Sequence, residues 1–113
     1  MLNPKTSTKH LEYFSRFSVV IITGGSSGIG CSIIKAIISI NPDLLLCNLS
    51  RSEPKIFLGK NGIHYPVDLC DEKALAQKVK EIKKIIRDAP KGEILLVNNS
   101  GFGDYGKFFE LES

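Results

Sequence analysis

Four short apolar runs punctuate the chain, and each ends in glycine or small polar residues: SVVII runs into TGGSSGIG, LLLCNL into SRSEP, IHYPV into Asp68, and ILLV into NNSG. A continuous β-branched run such as 19–22, bounded by glycines, is what a strand covered on both faces requires. Between the runs the apolar period changes. Positions 29, 33, 34, 37 and 38 fall on one face of a helix that NPD at 41–43 terminates. Leu75, Val79, Ile82 and Ile86 mark one face of a second helix, running from an Asp71 cap to about Asp88. Residues 44–49 read as a second buried strand. Pro66 restricts the third to a short or edge strand, because proline has no N–H for the ladder. ILLVNNSG is the fourth strand, and FGDYGKFFELES reads as a loop leading out of it.

Strands alternating with helices at such short separations pair in parallel through right-handed crossovers. The expected fold is therefore α/β: a Rossmann-like parallel sheet with flanking helices, a partial doubly wound fold of about four strands. Residues 18–113 form this domain and 1–17 precede it as an extension. In such sheets ligands bind beyond the carboxyl ends of the strands. The polar clusters at 23–30, 50–51, 68–69 and 98–101 all fall at those ends.

Composition narrows the function classes. With 42% hydrophobic and 24% charged residues in 113, the chain has the make-up of one small globular domain. No apolar run approaches the roughly 18 residues of a membrane span. A net charge of +3 is too slight to argue for nucleic acid. Cys31, Cys47 and Cys70 are odd in number and lack C-x-x-C spacing, which points away from a disulfide framework or zinc site and toward a reducing, cytoplasmic setting. The leader MLNPKTSTKHLEYFSRFS has no apolar core of the kind a secretory signal needs, and Glu12 argues against a mitochondrial leader.

The chemistry concentrates in the glycine turn. Gly24, Gly28 and Gly30 each have a reason to lack a side chain: the first for the tight turn out of the strand, the second for close approach of a pyrophosphate to backbone amides, the third for packing of the helix. The helix that starts there directs free N–H groups and the positive end of its dipole at the phosphates. Ser26 and Ser27 can add hydroxyl donors. Gly25 to Ser32 also differs from a triphosphate-binding P-loop at one position, but that position is the essential lysine, replaced by Cys31. A dinucleotide is the better guest.

These residues resemble the short-chain dehydrogenase/reductase family, whose glycine motif is T-G-x-x-x-G-I-G. Thr23, Gly24, Gly28, Ile29 and Gly30 match it. Asp68-Leu69 looks like the family's acidic-apolar pair near the adenine ring, and Asn98 to Gly101 is similar to its N-N-A-G motif, with Ser100 in place of alanine. The resemblance implies a nicotinamide dinucleotide as cofactor, with Asn98 beside it, Gly101 allowing close backbone approach, and Asn99 bracing the central strand. The position that sets cofactor preference is Ser50, followed by Arg51. A hydroxyl and a guanidinium suit a 2′-phosphate, so NADP is expected over NAD.

The family's catalytic Y-x-x-x-K is missing from these 113 residues: Tyr13, Tyr65 and Tyr105 are followed four positions later by Phe17, Leu69 and Phe109. No catalytic residue is assigned. The expected protein is the cofactor-binding portion of an NADP-dependent short-chain oxidoreductase acting on a carbonyl or alcohol, truncated before its catalytic residues. The chain alone is expected to be inactive. An alternative is a non-catalytic nucleotide-binding or regulatory module derived from that family. Either way the fourth strand becomes an edge with an exposed apolar face, inviting self-association or completion by another chain.

Overall fold

The computed structural model describes residues 15–26 and 28–99. Within them the order is β1 (Phe17–Thr23), α1 (Gly28–Ile40), β2 (Leu45–Ser50), β3 (Gly62–Pro66), α2 (Glu72–Asp88) and β4 (Glu93–Asn98). The four strands form one sheet in the order β3-β2-β1-β4, and every pairing is parallel. This is the Rossmann-like arrangement that the alternating pattern implies. The first strand starts at Phe17, two residues before its β-branched run, and its register against β4 shifts between Phe17 and Val19.

Side chains alternate across the sheet, so each strand feeds two cores. On one face Val20, Ile22, Leu44 and Leu46 bury against Ile34 and Ile37 of α1. On the other, Cys47, Leu49, Tyr65 and Val67 bury with Ile82 of α2. Pro66 ends β3, an edge strand, where its missing N–H costs no ladder bond. Asp71 caps α2 as its sequence position suggests, its carboxylate accepting from the Ala74 N–H at 3.1 Å.

Two features depart from the pattern reading. The segment between β2 and β3 is more than a turn: Ile56 and Leu58 pack on the α1-side core. Ile29, grouped with the buried face of the first helix, is instead 74% exposed. It lies in the first turn of α1, beyond the carboxyl ends of the strands, where no sheet remains beneath it.

Candidate functional site

At the carboxyl end of β1 the chain must leave the sheet sharply, and Gly24 does so at φ 69°, in the left-handed region where a side chain is strained. The Gly24 N–H donates to the Leu49 carbonyl at 2.9 Å, continuing the β1–β2 ladder by one bond. Gly25 is packed tightly: its N–H donates to Asn48 Oδ1 at 2.9 Å, and a Cβ there would meet that same oxygen and Ile34 Cδ1. The amides of Gly24 and Gly25 are therefore spent inside the protein, a correction to the picture of a turn whose amides all face a ligand. A strand end must satisfy its ladder before the chain is free to turn. The donors left for an anion belong to the first turn of α1, whose N–H groups have no intrahelical partner.

The remaining glycines divide by what surrounds them. A Cβ on Gly30 would collide with the Gly24 carbonyl oxygen, Asn99 Nδ2 and Gly25 Cα, so this glycine lets α1 seat against the turn. A Cβ on Gly28 would meet nothing within 4 Å. Its space is open, and nothing in the fold itself asks for a glycine there. Ser26 is half-buried in the turn, and Ile29 stands exposed next to Gly28.

The turn is clamped from both neighbouring strands. Just past the end of β4, Asn99 Nδ2 donates to the Gly24 carbonyl at 3.1 Å, and the Asn99 N–H donates to Thr23 Oγ1 at 3.0 Å. The Thr23 hydroxyl in turn donates to Asn98 Oδ1 at 3.1 Å. From β2 the clamp is Asn48, fully buried, which no motif marks as a site residue. Its Nδ2 donates to Ser50 Oγ at 2.9 Å and lies 3.0 Å from His64 Nδ1 on β3. The signal available in the sequence was one amide in the middle of an apolar strand, LLCNLS, which must find partners if buried.

Ser50 is buried, and its single hydroxyl proton goes to the Ser52 carbonyl at 2.7 Å. Arg51, the next residue, is exposed. Asp68 is exposed at the end of β3, with Oδ1 accepting from the Cys70 N–H at 2.9 Å, and Leu69 is half-buried against the α2-side core. Gly24, Ser26, Gly28, Ile29, Gly30, Ser50, Arg51, Asp68, Leu69 and Asn98 thus all fall on the carboxyl side of the sheet. Ser27 and Gly101 lie outside the described residues. Burial holds the His64 imidazole below the usual 6.5, with Glu53 pulling the other way. Burial also pushes the Cys47 thiol up to about 11 and the Tyr65 phenol up to about 12, so neither ionises near neutrality.

A parallel α/β sheet with a glycine turn at the carboxyl end of its first strand, clamped by an asparagine at the end of its fourth, defines a class. The profile described as short chain dehydrogenase matches residues 18–113, and the chain belongs to that family. Among curated proteins, a 3-ketodihydrosphingosine reductase of Mus musculus is 33% identical over 121 residues, taking in 99% of this chain and 35% of that protein. An uncharacterized oxidoreductase of Schizosaccharomyces pombe is 27% identical over 95 residues, 83% of this chain and 30% of its own. The chain spans about a third of the length of these relatives.

Two solved structures share the fold. A short chain dehydrogenase from Leptospira borgpetersenii serovar Hardjo-bovis with bound NAD+ superposes with a TM-score of 0.65 at 19% identity, over 80% of this chain and 34% of that one. A short-chain dehydrogenase/reductase from Burkholderia vietnamiensis gives 0.62 at 25% identity, over 77% and 41%.

Proposed function

We propose that the carboxyl end of this sheet holds a nicotinamide dinucleotide, and that the chain is the cofactor-binding part of an NADP-dependent oxidoreductase acting on a carbonyl or alcohol. The observation that carries the reading is the open space at Gly28. Gly24, Gly25 and Gly30 are explained by the fold, whereas Gly28 has room for a side chain and opens a helix whose first N–H groups have no intrahelical partner. A diphosphate fits that cradle: its oxygens would take the first-turn N–H groups of α1 and the positive end of the dipole. A Cβ at 28 would occupy the space the phosphate needs.

Ile29 would give an apolar contact at the mouth of the site, Asp68 and Leu69 would flank the adenine end, and Asn98 would lie beside the cofactor. The preference for a 2′-phosphate now rests on Arg51. With its proton committed to Ser52, the Ser50 hydroxyl has none to give a phosphate, while a guanidinium at the strand end can form a charge-assisted pair. The dinucleotide would supply the hydride donor or acceptor; the residues of this chain would bind and orient it, and none of them is assigned the proton transfer.

The similarity to a 3-ketodihydrosphingosine reductase makes 3-ketodihydrosphingosine the first substrate to try. Fluorescence titration of the intact protein with NADPH and NADH is expected to give saturable binding, tighter for NADPH. Arg51→Ala should weaken NADPH by about tenfold and NADH little. Gly28→Val should abolish both while the protein stays folded. Absence of saturable binding by either nucleotide would remove the reading.

A further inference from the structure

The Asn48 side chain is fully buried, and its oxygen and both of its amide hydrogens are engaged. Its oxygen accepts from the Gly25 N–H at 2.9 Å, and its two amide hydrogens face Ser50 Oγ at 2.9 Å and His64 Nδ1 at 3.0 Å. The orientation of that carboxamide follows from its partners. A backbone N–H can only donate, so the side facing Gly25 must be the oxygen. Nδ2 then points at His64, and His64 Nδ1 must be a bare lone pair with the ring proton on Nε2. The arrangement is complete for neutral His64 and for no other state.

Protonation puts a hydrogen on Nδ1 and sets two donors against each other 3.0 Å apart. Turning the Asn48 carboxamide over would offer its oxygen to the imidazolium. It would also place the NH2 against the Gly25 N–H, and that buried donor would lose its acceptor. Gly25 packs so closely on Asn48 and Ile34 that a side chain there would meet both, which limits how far it can move toward them.

We propose that Asn48 is a positioning residue of the nucleotide site and that His64 governs it: neutral His64 keeps the Asn48 oxygen on Gly25 and the glycine turn in its binding shape, and protonated His64 withdraws it. This rests on the reading of that turn as a dinucleotide cradle. The groups that act on His64 among the described residues are the uncharged Asn48 carboxamide from β2 and the Glu53 carboxylate from the segment after β2. Burial favours the neutral ring and Glu53 opposes it, so the folded protein takes up this proton later than the unfolded chain as pH falls. The turn is therefore intact at neutral pH and loosens as pH drops below the ordinary histidine range.

The test uses amide-resolved nitrogen–proton spectra of the intact protein without nucleotide, from pH 7.5 to 5. The Gly25 amide and the Asn48 side-chain NH2 are expected to shift together with the His64 ring, and in His64→Gln, whose carboxamide oxygen can accept from Asn48 at any pH, that shift is lost. The same two proteins are then titrated with NADPH at each pH, because phosphate ionisation affects both alike and cancels in their ratio. Wild-type affinity should fall about tenfold relative to His64→Gln across the range, the effect of one buried donor losing its acceptor. A Gly25 amide indifferent to His64, or equal pH slopes for the two proteins, overturns the proposal. A Gly25 amide that tracks His64 in a protein that binds no nucleotide would sink the cofactor reading instead and leave the coupling standing.

Discussion

The two faces of the sheet are covered unequally. On the α1 side the core is closed: Val20, Ile22, Ile34 and Leu46 are all inaccessible, and Ile56 and Leu58 from the long β2–β3 segment extend the cover. On the α2 side the core is closed over β2 and β3 and then stops. Ile94 and Leu96 of β4 remain 48% and 65% exposed, and with Ile21, Val79 and Ile86 they line a groove of about 590 Å³. Both helices are regular and amphipathic, so helix quality is not the cause. A helix is about 10 Å wide and strands lie about 4.8 Å apart, so one helix covers roughly two strands. The first crossover joins neighbouring strands, and the β2–β3 segment helps it. The second must travel from one edge of the sheet to the other and covers only the half where it starts.

The largest test of this contrast is a matched pair of truncations. Leu46→Ala, under α1, should lower unfolding free energy by about 3 kcal/mol in a denaturant titration, and Leu96→Ala, on the open face, by no more than about 0.5 kcal/mol. Equal losses would mean that the groove is filled in solution. Next in size, Gly30→Ala should cost about 2 kcal/mol, because the added methyl meets backbone that cannot retreat, whereas Gly28→Ala should leave stability within about 0.5 kcal/mol and act on nucleotide binding alone.

The covered half of the α2 face can be probed by pH and by thiol chemistry. Cys47 and Tyr65 have folded values raised above their ordinary ones, so their contribution is complete below pH 9 and is lost as pH climbs through about 11 to 12. Thermal melts should therefore show a decline in Tm beginning above pH 9. At pH 8 iodoacetamide should modify the exposed Cys70 and leave the buried Cys47 untouched, as read by peptide mass spectrometry. Labelling of Cys47 in the native protein would show that α2 lifts from the sheet. The smallest effect concerns the groove itself: Leu96→Glu should leave stability nearly unchanged while reducing binding of an apolar dye, and any self-association through this face should weaken with it.

Much of the fold, and the bend at Gly24, could be read from residue order, for a physical reason. The need for φ above zero at Gly24, a proline at the edge of a ladder and a carboxylate cap at Asp71 are local requirements, satisfied within a few residues of where they are written. Asn48 and His64 were invisible to the same reasoning, because their meaning lies in partners 23 and 16 residues away. Ser50 shows the converse: its place at the strand end suggested a ligand contact, and the fold has given its proton to Ser52.

Alternating apolar runs, their periods and the glycines between them were sufficient for a parallel α/β sheet, for the carboxyl ends as the place where ligands gather, and for membership of a dinucleotide-binding family. What depended on three dimensions was allocation: which amides of the turn are already used, which glycine leaves room for something else, and which face of β4 stays bare. Local conformational preference acts along the chain and can be seen there. Hydrogen-bond satisfaction and burial are settled between segments far apart in sequence, and they exist only once the strands lie side by side.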